Sequence, residues 1–536
     1  MTRRSMHGHR LTVVVLLSVV LACSREHGGS GSAARQNSSS EPITASASPV
    51  PSSSPVNSTK LPPRVGLDGR AFPALVAPLG PGPRVYARSL RTWIFEEPRP
   101  DARRLGYLTR GASLPTSKAS AGNRGCAGGW HQVPPQGYVC LDDDATLNHS
   151  DPLVIGTEEY PPDETRRLPY IYGIVRRPGK IYRRPPTREQ LLVEEPGIEA
   201  RMQRWLSLPG ESGASYGQEV WTPGLGAPID PAEAWKTKRT ENLPRYVRSL
   251  LDQPEPSAEL VDSIMEPRVG YSFLTTFLFQ GRRYGLTRDL LLVPTDRLRP
   301  IRGSDFHGFR IPEDIDFPFA LVRQPGAHLW RYDQSSKRLS KATDAPYRTA
   351  LKLTGKQAFY RGRLHYETTD GLWLSDRDGS RLDPAKRMPA WGTNGEKWID
   401  VNLTKQALVL YDGTRAVYAT LVSTGEAGLD DPEKSTATKR GIFRIHTKHI
   451  TATMDSDEVG EEFELRDVPY VQYFAEGYAL HGAYWHDRFG IPKSHGCINL
   501  APEDARRIFY FTEPRVPAGW HGALSPLKGT IVFVHP

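Results

Sequence analysis

The residues best equipped for chemistry lie near the C-terminal end, in His481-Gly482 and in Ser494-His495-Gly496-Cys497-Ile498-Asn499. A free thiol titrates near 8.5 and is mostly protonated at neutral pH, whereas the thiolate is the nucleophile. A neighbouring imidazole can take that proton, so His481 and Cys497 form a Cys/His arrangement suited to acyl transfer. Gly496, just before the thiol, lets backbone come close to a substrate carbonyl, where N–H groups can hold a developing oxyanion. The competing reading is a zinc site built from His481, His495 and Cys497. It needs a fourth ligand, for which His486 is the nearest candidate and poorly spaced.

These residues need a rigid frame, and the flanking sequence supplies strand patterns. Trp398-Ile399-Asp400-Val401-Asn402 and Ala407-Leu408-Val409-Leu410-Tyr411 read as strands around a turn. Asp412-Gly413 starts a hairpin into Val417–Ser423. Further strands are expected at Thr438–Ile445 and Ala479–Trp485. Pro502 to Phe511, with Glu503 and Asp504 in its first turn, reads as a short helix.

Taken together, the string His-Gly…Ser-His-Gly-Cys-Ile-Asn, preceded by Thr…Gly-Ile-Phe-Arg-Ile, resembles the catalytic domain of L,D-transpeptidases, the YkuD-type fold. The resemblance covers Trp398 to Pro536. It implies Cys497 as nucleophile, His481 as its base, and Ser494, His495 and Gly496 as shapers of the pocket and oxyanion site. It implies a peptidoglycan stem tetrapeptide as donor, an acyl-enzyme, and transfer to an amine that gives a 3→3 cross-link or a protein attachment. No cofactor and no metal is expected. Family members that act as L,D-carboxypeptidases or other hydrolases, and a catalytically silent peptidoglycan-binding lipoprotein, are the alternatives. The gap between His481 and Ser494 is at or below the short end of the family spacing, which sets the intervening loop apart from the pattern.

Composition agrees with an exported, β-rich chain. Its 536 residues exceed what one core organises. Glycine (48) and proline (47) are frequent enough to exclude mostly long helices. Hydrophobic residues at 38% exclude wholesale disorder, and a mean hydropathy of −0.49 excludes a polytopic membrane protein. The net charge of +9 suits an anionic wall polymer or membrane surface, and no nucleic-acid motif accompanies it.

Arg3, Arg4 and Arg10 precede an apolar run from Leu11 to Ala22, a secretory signal too short to span a membrane comfortably. Val20-Leu21-Ala22-Cys23 resembles a bacterial lipobox, which implies lipid on Cys23. Ser24 after it, by resemblance to Gram-negative lipoproteins, implies the outer membrane, with the folded part in the periplasm. Residues from Ser24 to about Arg64 are Ser-, Pro- and Gly-rich and cannot bury enough surface to offset ordering, so a tether is expected. In such a compartment disulfides persist. Cys126 and Cys140 read as a hairpin closed by a disulfide, which leaves Cys497 as a free thiol.

Between tether and catalytic segment the pattern is short strands and turns. Leu105-Gly106-Tyr107-Leu108, Gly125-Cys126 to Trp130 and Gly137-Tyr138-Val139-Cys140 resemble a bacterial SH3-like barrel. A repeat follows: Ile174–Gly179 with Ile181-Tyr182-Arg183 matches Leu321–Gly326 with Leu329-Trp330-Arg331. Phe279-Gln280-Gly281-Arg282 likewise echoes Tyr360-Arg361-Gly362-Arg363. Helical periodicity is expected over Glu189–Leu206 and Leu243–Met265.

The expected organisation is therefore mainly β and multidomain, with a β-sandwich-like YkuD-type domain after small SH3-like β modules. Its boundaries are signal peptide 1–22, lipidated linker 23–80, disulfide-bearing SH3-like barrel 81–148, β module with partly helical insert 149–312, second small β module 313–396, and catalytic domain 397–536. The expected partners are peptidoglycan stem peptides and, through the lipid, the membrane.

Overall fold

The computed structural model describes Leu67 and residues 82–536, apart from 254–258, 457–462 and 526. The signal, Cys23 and most of the tether lie outside the described residues. The chain divides into residues 1–61 and 62–536, and the described residues belong to the second unit. It is mostly β.

Three small barrels with one strand order precede the C-terminal strands. Their first strands are Arg84–Ala87, Ile171–Val175 and Phe319–Val322; their last are Ala145–Thr146, Leu298–Ile301 and Gly379–Leu382. First and last pair in every copy. The second strands, Thr92–Phe95, Lys180–Tyr182 and His328–Asp333, pair with the third strand and with the one before the last. The repeat glimpsed in the sequence thus has a counterpart in hydrogen bonding, and it extends to the disulfide-bearing copy. In the second and third copies a two-residue turn joins the central hairpin. Gln280 and Gly281 (φ 46° and 84°) and Arg361 and Gly362 (φ 50° and 78°) both sit in the left-handed region that such turns require.

Cys126 and Cys140 are joined in the first copy, where Trp130 pairs with Cys140 across a hairpin. The second copy carries an insert, residues 183–260, between its second and third strands. There the helical pattern is shorter than the sequence suggests. Pro196-Gly197 separates helices Arg188–Glu194 and Ile198–Ser207. Leu243–Met265 is helical only over Arg245–Leu251 and becomes the strand Val261–Ile264. Pro254 and Pro256 lack the N–H a continuing helix needs.

The C-terminal region is two facing sheets around one core. One sheet runs Phe309–Arg310, Arg415–Leu421, Ala407–Asp412, Lys397–Asn402, Ile531–His535, Gly441–Arg444. The other is built on the long hairpin Thr447–Ser456 and Phe463–Ala475, extended by Tyr478–Gly482 and Ile498–Leu500. Helix Pro502–Phe511 starts on proline with Glu503 and Asp504 in its first turn.

This second sheet does not stop at the C-terminal strands. Gly522–Leu524 joins it to Arg104–Leu108 of the first barrel, and Gly270 of the second barrel pairs with Leu465. The approach at Gly106 and Gly522 is close enough to need glycine: a Cβ on Gly106 would sit 2.3 Å from the Gly522 carbonyl oxygen. Val85, Leu108 and Val139 of the first barrel share one apolar cluster with Ile399, Leu410 and Phe509.

Asp467 is the polar centre of this junction. It is 4% exposed, accepts from Thr451 Oγ1 at 2.8 Å and from the Ser272 hydroxyl, and pairs with the Arg288 guanidinium. That guanidinium also donates to Thr109 of the first barrel. Removing one partner of a buried pair strands the other charge, at about 3–5 kcal/mol. Arg288→Met should therefore lower the urea midpoint of the whole chain, and Asp467→Asn added to it should cost less than the two single losses combined. Additive losses would mean that the pair is not coupled.

Candidate active site

The strands Tyr478–Gly482 and Ile498–Leu500 run parallel, with His481 opposite Asn499. Side chains alternate along a strand, so Cys497 and Asn499 share a face, and His481 lies on it too. The main chain of Asn499 is tied to Ser423 in both directions, at 2.8 and 2.9 Å.

The turn leading to the thiol is braced from within. Thr438 Oγ1 donates to the Gly496 carbonyl at 2.7 Å and accepts from the Gly425 N–H at 2.8 Å. Ser494 is 6% exposed; its hydroxyl donates to the Cys497 carbonyl and accepts from the Gly496 N–H at 3.2 Å. Gly496 has φ 115°, and a Cβ there would meet the Tyr478 ring at 2.8 Å. His495 points outward and rests on Phe463, ring centroids 5.4 Å apart. Of the three pocket residues expected from sequence, Ser494 and Gly496 thus shape the turn from within, while His495 is exposed.

Cys497 is half-buried, with its sulfur 3.7 Å from the Gly477 carbonyl. Burial pushes its thiol up to about 11. His481 is 2% exposed, stacks on Trp485 at 5.6 Å, and has its buried Nδ1 without a hydrogen-bond partner. Burial, followed by the proximity of His486, pulls its imidazole down to about 3. The resting pair is therefore neutral thiol and neutral imidazole, not the ion pair that a Cys/His sequence suggests.

Sequence reading missed the role of His486, weighed there only as a zinc ligand. Its Nδ1 accepts from the Arg488 N–H at 3.2 Å, and its Nε2 lies 2.9 Å from the Asn499 amide. It therefore pins the short loop after His481 to the strand that carries Cys497. Arg348 of the third barrel holds the same loop through Asp487 at 2.9 Å. Among the described residues, no three His, Cys, Asp or Glu side chains gather as a metal ligand set, and no helix is long and apolar enough to cross a membrane.

His449, His481, His486 and His521 are all held below the usual histidine range, first by burial. The folded chain therefore refuses protons that the unfolded chain takes up below pH 6.5. Each such group removes about 1.4 kcal/mol of stability per pH unit, from pH 6.5 down to its folded value. The denaturant midpoint should fall steeply from pH 6.5 to 4.5, and His449→Gln should flatten the slope. An unchanged midpoint across that window would refute neutral burial.

Residues 396–534 match the YkuD family, the L,D-transpeptidase catalytic domain. YciB of Bacillus subtilis (strain 168), which carries an L,D-transpeptidase name, is 27% identical over 138 residues, covering 21% of this chain and 59% of its own. The chain thus spans less than two thirds of that relative. Among solved structures, the Enterococcus faecium L,D-transpeptidase is 23% identical, covers 26% of this chain and 50% of its own, and has a TM-score of 0.20. That from Stackebrandtia nassauensis is 27% identical, covers 29% and 58%, and has a TM-score of 0.19.

Proposed function

We propose that this YkuD-type L,D-transpeptidase domain, at residues 396–534, acts in an exported enzyme that acylates Cys497 with a peptidoglycan stem tetrapeptide and passes the acyl group to an amine. The observation that carries the reading is the buried, unpartnered Nδ1 of His481 on the sheet face that also bears Cys497. An imidazole kept neutral, with its Nδ1 unpartnered, is poised to accept a proton.

In this reading the Cys497 sulfur attacks the carbonyl of the third stem residue while its proton passes to His481. Backbone N–H groups of the turn around Gly496 hold the oxyanion. Collapse of the tetrahedral adduct breaks the bond to the terminal D-Ala, whose amine leaves with the proton from His481. An acceptor amine then attacks the thioester, gives its proton to His481, and frees the thiol. A stem amine yields a 3→3 cross-link, a protein amine an attachment, and water a trimmed stem. Cys23 would carry lipid at the outer membrane, with the following residues as a tether and the three barrels as SH3-like modules reaching the wall.

Purified protein incubated with tetrapeptide muropeptides should give cross-linked dimers lacking one D-Ala, as read by mass spectrometry, and EDTA should not change the yield. Trimmed monomers alone would make it a carboxypeptidase. No product and no thioester would leave the silent wall-binding reading.

A further inference from the structure

The second and third barrels are copies of one strand order, yet the same face is treated oppositely in each. In the second, the insert lays Glu195 onto that face, 6% exposed. Its carboxylate accepts from Tyr182 Oη at 2.5 Å, Arg282 at 2.7 Å and Arg297 at 2.9 Å, and Asp296 takes the other side of Arg282 at 2.8 Å. These charges hold the Glu195 carboxyl well below its usual range, against the burial that would raise it. The second barrel is thus a carboxylate-binding face filled by its own chain.

Register identifies the equivalents in the third barrel. Tyr284 pairs with Pro294 and His365 with Ser375, so Arg282 corresponds to Arg363 and Asp296 to Arg377. The matched segments Ile181-Tyr182 and Leu329-Trp330 place Trp330 at the position of Tyr182. Here the second and third strands are joined only by residues 334–337, so no insert lies over the face. Instead there is a cavity of about 500 Å³ whose lining includes Trp330, Tyr360, Arg363, His365, Arg377 and one acid, Asp378.

Two features of this cavity ask for a ligand. The Trp330 indole nitrogen is buried and has no hydrogen-bond partner. Arg361, Arg363 and Arg377 line it with no ion-pair partner among the described residues, where the second barrel offers two acids to Arg282. An exchange of Asp296 for Arg377 turns a self-neutralised site into one with surplus positive charge. A carboxylate can take two parallel bonds from one arginine, and an indole N–H is a donor only.

We propose that this cavity of the third barrel binds a carboxylate-bearing peptide, the open counterpart of the Glu195 plug. The carboxylate sits on Arg363 and the Trp330 N–H, with the peptide chain across the Trp330 and Tyr360 rings. That the peptide is a wall stem rests on the transpeptidase reading; the carboxylate chemistry does not.

The test uses the full chain carrying Cys497→Ala, so that the probe is not consumed. The indole N–H resonance of Trp330, identified by its loss in Trp330→Phe, is followed by NMR. The probes are a soluble stem tetrapeptide and the same peptide with its carboxyls amidated. A saturable shift with the acid form, at least tenfold weaker with the amide form and lost in Arg363→Glu, is the expected result. Arg363 is exposed, so that variant should fold; carbapenem labelling of its Cys497-intact form checks this. A resonance that ignores both probes, responds equally to both, moves with peptide-free glycan, or still shifts in Arg363→Glu would overturn the proposal. If Trp330 responds while Cys497 is never acylated by stems in the parent, the groove stands and the transpeptidase reading falls.

Discussion

Cys497→Ala should abolish both acyl-enzyme formation and covalent labelling by a carbapenem, the β-lactam class to which L,D-transpeptidases are generally susceptible. The reason is compositional as well as geometric. Cys126 and Cys140 are joined to each other, and Cys497 is the free cysteine among the described residues. Intact-mass spectrometry after incubation reads the outcome directly, and full labelling of the variant would remove Cys497 from the mechanism. His481→Ala should slow acylation by about a hundredfold or more, the usual scale for loss of a general base. Because burial holds His481 near 3, its protonation should impose no acid limb on acylation between pH 8 and 5. An acid limb within that window, together with a harmless His481→Ala, would move the base role to the exposed His495.

A fragment of residues 397–536 should fail to form a stable domain, even though it holds every catalytic candidate. Cutting there removes the strand Phe309–Arg310 from the edge of one sheet, and from the other it removes Gly270, which pairs with Leu465, and Arg104–Leu108, which pairs with Gly522–Leu524. It strips Val85, Leu108 and Val139 from a shared core and leaves Asp467 buried without Arg288. Exposed edges and an uncompensated charge both favour aggregation or unfolding. Circular dichroism and gel filtration of the fragment, beside the chain from residue 82 onward, decide it. A monomeric, cooperatively melting fragment with full activity on soluble stems would show the barrels to be mere appendages.

The family match was legible in the sequence because its signal is local. Gly496 and Cys497 are neighbours, Pro502-Glu503-Asp504 starts a helix by its own composition, and short apolar runs around a turn mark Lys397–Asn402 and Ala407–Asp412 as strands. The duplicated hairpins showed through Gln280-Gly281 and Arg361-Gly362, since few residues accept two left-handed positions in succession. What the sequence hid is long-range. Nothing near Gly106 announces Gly522, and nothing near Arg288 announces Asp467, because lateral sheet joining is fixed by shape and desolvation at the junction. The neutral state of His481 was equally hidden, since it depends on how completely distant elements bury it.

The insert of the second barrel also identifies a permissive position for grafting. One strand order tolerates residues 96–103, 183–260 or 334–337 between its second and third strands. The cost of closing such a loop grows only with the logarithm of its length, and the anchoring strand His328–Asp333 is also held by Trp373–Ser375. A foreign folded domain spliced between Asp333 and Arg338 should thus be carried without unravelling the barrel, as the helices after Tyr182 are. Its position would be that of a stopper over Trp330, so a donor with a cleavable junction would turn a constitutive receptor face into a triggered one.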